Sequence, residues 1–152
     1  MRLTFLISLL LAFSLDRLSK AWAAKALASK EITLVKGLLS LKLAQNKGAA
    51  FSLFSSTQGF LRELLLVFFP FLVVVFLTYY ALFRSKSSLT TLSFGLIVGG
   101  ALGNLYDRVF SGRVVDFIDL HFKNFHYPTF NFADLFVSTG ILILLLKEWR
   151  KS

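Results

Sequence analysis

The chain has 152 residues, of which 56% are hydrophobic and 16% aromatic, and it contains no cysteine. That composition excludes a water-soluble core able to hide the chain's own apolar surface, and the lack of cysteine excludes structural disulfides, thiolate metal sites, a cysteine nucleophile and a lipid carried on cysteine. The net charge of +9 comes from basic residues scattered singly among apolar stretches; without the stripe or cluster that nucleic acid requires, anionic phospholipid headgroups are the expected counter-charges and an integral membrane protein the expected class.

In chain order, Arg2 precedes an apolar run from Leu3 to Leu15, interrupted only by Thr4, Ser8 and Ser14, and then by Asp16, Arg17 and Lys20. The pattern imitates a secretory signal peptide, with Ala21-Trp22-Ala23 in the place of a cleavage site. The charged insert before that site disfavours cleavage, so the stretch reads as a retained first membrane helix over 3–24. Asp16 and Lys20 are four apart and share one helix face, where they can pair near the membrane boundary. A solvated helix end with a weak pair is the plainer alternative.

From Glu31 to Phe54 apolar and polar residues alternate around Gly37, which predicts a small half-buried β-hairpin over 31–54. The polar segment Gln45 to Phe51 reads as a turn. Leu64 to Phe83 is an unbroken apolar run of 20 residues, long enough to cross a bilayer, and it places a second span at 60–83 with a kink expected at Pro70. A third span is expected at 89–107. Within it Gly95, Gly99 and Gly103 recur every four residues and put small residues on one helix face for close contact. Gly100, Asn104 and Arg108 follow the same spacing on the adjoining face. The last span, 131–148, reaches membrane length only if it begins near Asn131 and Asp134.

Four spans place both termini on one side, but basic residues do not settle which. Of 17 Lys and Arg, six would lie with the termini, leaving eleven opposite, seven of them from Arg17 to Lys47. That excess runs against termini on the cytoplasmic side.

Asp116 and Asp134 stand 18 residues apart, linked by a stretch that reads as a loop containing Pro128. If the chain folds back there, two close carboxylates cannot both ionise easily. They share a proton, leaving one as base and one as acid, an arrangement that activates water against a peptide carbonyl without a covalent intermediate. At a helix start, Asp134 would favour its charged form; which acid takes which role stays open at this level. Pairing alone leaves plainer readings in place: Asp107 with Arg108 as a structural ion pair, Asp119 as a solvated loop acid, Asp134 as an ordinary acid at a helix N-terminus. His121 and His126 read as loop polar residues, since HExxH is absent and nothing completes a metal set. No metal or cofactor is expected.

Five motifs in order, DRLSK at 16–20, NKGAAF at 46–51, GGALGNLYDR at 99–108, VVDF at 114–117 and FNFAD at 130–134, resemble the lipoprotein signal peptidase (signal peptidase II) family over essentially the whole chain. The resemblance implies a four-helix, all-α membrane aspartic endopeptidase of the bacterial inner membrane, with a small extracytoplasmic β element as a platform over the site. It implies cleavage of prolipoproteins just before a cysteine that bears diacylglycerol, by a monomer with cytoplasmic termini and an active site near the extracytoplasmic face. Asp116 and Asp134 would be the catalytic pair; Asn46, Gly48, Asn104, Arg108, Asn131 and Ala133 would line the site; Asp16 and Lys20 would be structural. Two other readings remain: a small transporter or channel subunit whose acids line an ion path, and a non-catalytic assembly factor that uses the glycine face for helix partners.

Overall fold

A computed structural model of the chain describes residues 1–48, 59–123 and 125–150. Among the described residues four long helices stand beside one antiparallel sheet. Helix α1 is Arg2–Ala26, α2 Phe60–Phe83, α3 Ser88–Ser111 and α4 Phe132–Trp149. The strands are β1 Ile32–Val35, β2 Leu39–Asn46, β3 Val114–Phe122 and β4 Phe125–His126, in spatial order β1-β2-β3-β4.

Helix α3 is the centre of the bundle and packs against α1, α2 and α4. Its glycines explain how three neighbours fit around it. A methyl group added at Gly99 would lie 2.5 Å from the carbonyl oxygen of Leu9 in α1, and one at Gly100 would lie 2.5 Å from that of Ala133 in α4. Adjacent glycines thus serve two different interfaces, each a close backbone approach that any side chain would wedge apart. Local signals fix the ends of α3: the Ser87 side chain accepts a bond from Thr90 N–H at the start, and Gly112 stops the helix with φ of 66°, its N–H donating to Arg108 O at 3.0 Å.

Helices α2 and α3, 24 residues each, are long and apolar enough to cross a membrane. The surface of α2 carries exposed Phe68, Phe69, Phe71, Phe76 and Phe83, an aromatic belt far larger than a water-facing surface tolerates, so this is a membrane protein. The helix is continuous through Pro70. A wide π-turn at Leu64–Phe68 comes just before the proline, where the backbone must make room for a ring and a missing N–H.

The expected hairpin is present as β1 and β2 around Gly37, which has φ of 76°; its expected end, through Phe54, and residues Ala49 to Phe51 of the NKGAAF motif lie outside the described residues. The stretch expected as a loop between the two candidate acids is a correction: Val114–Phe122 is a strand pairing with β2, with Ala44 opposite Asp116 and Asn46 opposite Val114. Asp116 and Asp119 fall on opposite faces of that strand, so neither face shows the clean alternation that marks a strand, and pairing with β2 decides its conformation. Phe117 and Ile118 pack with Ala23 and Leu27 at the end of α1 and with Phe130 and Phe132 at the start of α4. This cluster fixes the sheet on one end of the bundle.

Candidate active site

Strands β2 and β3 and helices α3 and α4 meet at that end. The short connection from β4 to α4 brings Asn131 to the N-cap of α4, where its side chain accepts a bond from Asp134 N–H at 3.1 Å while Asp134 Oδ2 accepts from Asn131 N–H at 3.2 Å. This reciprocal capping box satisfies two helix-end donors and holds the Asp134 carboxylate in the first turn, at the positive end of the helix dipole. Strand β3 carries Asp116, whose Oδ1 accepts from Asn131 Nδ2 at 2.7 Å and whose Oδ2 accepts from Asn46 Nδ2, at the end of β2, at 3.2 Å. From α3, Asn104 Nδ2 donates to Asp134 Oδ1 at 2.8 Å, and its Oδ1 accepts from Asn131 Nδ2 at 3.1 Å. One asparagine cap therefore touches both acids, and the network spans all four elements.

Asp116 and Asp134 line the same cavity, of about 330 Å³, together with Asn46, Asn104 and Arg108; the segment Tyr127 to Phe130 forms an opposite wall. Asp116 is 2% exposed. Burial, and secondly the charge of Asp134, raise its pKa from 3.8 to about 7 against the opposing bonds from Asn46 and Asn131. Below about 7, Asp116 therefore holds a proton. Arg108 interacts electrostatically with both acids and donates from Nη2 to Gly48 O at 3.3 Å, while Gly48 N–H donates to Asn46 Oδ1 at 2.9 Å. Gly48 thus serves through its backbone. Arg62, at the start of α2, ties the same rim together by donating to Lys47 O at 3.0 Å and Gly112 O at 2.6 Å.

Behind the site lies a second cluster, of paired charges. Lys20 Nζ sits 2.9 Å from Asp16 Oδ2 and 2.9 Å from Asp107 Oδ2, and Arg17 pairs with the other oxygen of Asp107. Asp16 and Lys20 are fully buried, so their pair is no solvated helix end. Lys20 Nζ also donates to Asn104 Oδ1 at 2.9 Å, and Asp16 Oδ1 accepts from Ala133 N–H at 2.9 Å. Ala133 is completely buried and meets α1 and α3 through its backbone; it holds the start of α4 in place.

Two plainer expectations are corrected. Asp107 pairs with Arg17 and Lys20, not with Arg108, because neighbours in a helix point about 100° apart and Asp107 follows Gly103 by four residues onto the face that meets α1. That four-residue spacing was the available signal. Asp119 is no solvated acid: it is 1% exposed, with Lys42 Nζ and His126 Nδ1 each 3.0 Å from Oδ2. Burial alone would raise its pKa, but the His126 hydrogen bond and the paired Lys42 outweigh it and hold the carboxyl below its ordinary value. The Tyr127 to Phe130 wall and Arg62 went unread in the sequence, since nothing local marks a loop or a helix start as a cavity wall.

This chain is similar throughout to known proteins. The family model described as signal peptidase (SPase) II matches residues 8–150. A lipoprotein signal peptidase of Clostridium novyi is 44% identical over 142 residues, covering 90% of this chain and 93% of the relative, and one of Caldicellulosiruptor bescii is 40% identical over 149 residues, covering 96% and 93%. A solved structure described as a bacterial membrane enzyme superposes with a TM-score of 0.83, covering 97% of this chain and 88% of its own, at 23% identity, and so shares the fold. A match running from α1 through α4, with relatives this similar over nine-tenths of their length, places the chain in the signal peptidase II family.

Proposed function

We propose that the protein is an aspartic endopeptidase that removes the signal peptide from diacylglyceryl-modified prolipoproteins by cleaving before the lipid-bearing cysteine, with Asp116 and Asp134 as its catalytic pair. Family membership supports the substrate class. The observation that carries the chemistry is that two acids from separate elements face one cavity and share one asparagine, with Asp116 pushed up to about 7.

The reaction follows from that pairing. The ionised carboxylate takes a proton from water as the oxygen attacks the scissile carbonyl carbon, while the protonated carboxyl gives its proton to the carbonyl oxygen. The tetrahedral diol then collapses: as the C=O bond re-forms, one hydroxyl returns its proton to the carboxylate that gave one, the C–N bond breaks, and the proton taken from water passes to the leaving amine, which leaves the pair singly protonated. Burial, and secondly the nearby Asp134 charge, raise the Asp116 pKa to about 7, which makes Asp116 the seat for the resting proton. Arg108 offers a planar fork for a carbonyl or a lipid phosphate, and Asn46, Asn104 and Asn131 keep the acids oriented.

In this reading the single domain crosses the inner membrane four times, with α1 and α4 as the remaining spans, the termini in the cytoplasm and the sheet outside, and it works as a monomer among phospholipids. The ion pairing of Asp16, Lys20 and Asp107 supports α1 as a span, because an apolar helix can carry these charges into the membrane only when they are neutralised within the bundle. The test is gel-shift cleavage of a prolipoprotein with and without diacylglycerol on its cysteine. Conversion of the lipid-modified form alone is expected; equal rates on both would defeat lipid recognition.

A further inference from the structure

Away from the cavity, β3 and β4 build a second constellation. Asp119 and His121 are two apart on β3 and so share a face, and the antiparallel register sets His126 of β4 directly opposite His121. Nδ1 of His121 lies 3.1 Å and Nδ1 of His126 3.0 Å from the same oxygen, Asp119 Oδ2, and the two rings stack with centroids 5.0 Å apart. The ligand atoms of all three residues fall within 4.8 Å of one another. His121 Nδ1 is buried and makes no hydrogen bond of acceptable geometry, an orphaned lone pair or proton aimed at a carboxylate.

We propose that Asp119, His121 and His126 form a binding site for a divalent transition-metal ion of the zinc class. Two ligand atoms each about 2.1 Å from a shared ion stand roughly 3.0–3.4 Å apart at octahedral or tetrahedral angles, which is the spacing both histidine nitrogens already keep from Asp119. Two imidazoles and one carboxylate suit Zn²⁺ and its neighbours better than the oxygen-seeking Mg²⁺ or Ca²⁺. An ion there gives His121 Nδ1 the partner it lacks. Asp119 is buried at 1% exposure while His126 is half exposed, so the site has a fixed base and an open mouth that leaves coordination positions to water. Lys42, 3.0 Å from the same carboxylate oxygen and one-third exposed, is the resident cation that an incoming ion displaces into solvent. The ion's effect is structural: it fastens β4 to β3 immediately before Tyr127, where the chain turns to form the wall of the cavity.

The test is isothermal titration of the purified full-length protein in detergent, its affinity tag removed, with zinc chloride. One saturable site per chain is expected. His121→Ala and His126→Ala should each weaken binding at least about tenfold, and Lys42→Ala should tighten it by about fivefold. That gain cannot be imitated by misfolding. Absence of saturable binding by the unaltered protein up to roughly 1 mM zinc, or binding unchanged in both histidine variants, overturns the site.

Discussion

Two of the clusters of charge among the described residues, one behind the cavity and one at it, differ in how their charges are balanced. Behind the cavity, Asp16 and Asp107 meet Lys20 and Arg17, and each carboxylate has a cation in direct contact. At the cavity, Asp116 and Asp134 are contacted chiefly by neutral amides, with Asn131 between them, and the burden falls on proton uptake. Charges paired with an opposite charge serve as framework. Charges left to share a proton keep the reactivity that an acid and base need. Lys20 joins the two clusters through Asn104, so the framework orients the proposed catalytic pair without neutralising it.

The largest effect expected from breaking this contrast is on catalysis. Asp116→Asn or Asp134→Asn should lower cleavage of a lipid-modified prolipoprotein by about 10²–10⁴-fold or more, with thermal unfolding in detergent little changed. Retained cleavage by either variant would remove that acid from the pair. The reverse pattern is expected for the framework: Lys20→Met leaves Asp16 without its cation and should cost about 3–5 kcal/mol of stability, read from thermal or denaturant unfolding. A loss well under 1 kcal/mol would place this cluster in contact with water instead.

A pH series sharpens the comparison. Asp116 binds its proton more tightly in the folded state, so between 3.8 and about 7 the folded protein holds more protons than the unfolded chain. Its contribution makes stability fall as pH rises through that window and level off above it. Asp116→Asn should flatten the slope, and an unchanged slope would show that Asp116 has an ordinary pKa. Cleavage should likewise decline as pH climbs past about 7 and the shared proton is lost. The smallest effect concerns Asn131, which caps α4 and touches both acids. Asn131→Ser keeps a capping oxygen but loses the amide donor, so turnover should drop about tenfold, while stability changes by only a few tenths of a kcal/mol relative to the full capping loss of about 1 kcal/mol in Asn131→Ala. Equal turnover in Asn131→Ser and the unaltered protein would reduce Asn131 to a helix cap.

Residue order alone determined a good deal about this protein. Apolar run length marked α2 and α3 as membrane helices, alternation around Gly37 marked the first hairpin, and four-residue spacing put Gly95, Gly99 and Gly103 on one contact face, because each depends on periodicity within one element. Asp134 at a helix start was legible for the same reason: the N-cap asparagine stands three residues before it. Tertiary structure decided the rest. Val114–Phe122 became a strand only through pairing with β2, Asp107 found its partners on α1 rather than beside it in the chain, and Asp119 was buried by a lysine and two histidines contributed by three strands. Asp116 and Asp134 are coupled because β3 and the first turn of α4 are pinned to one end of α1 and α3, and no local pattern records contacts made between elements so far apart in sequence.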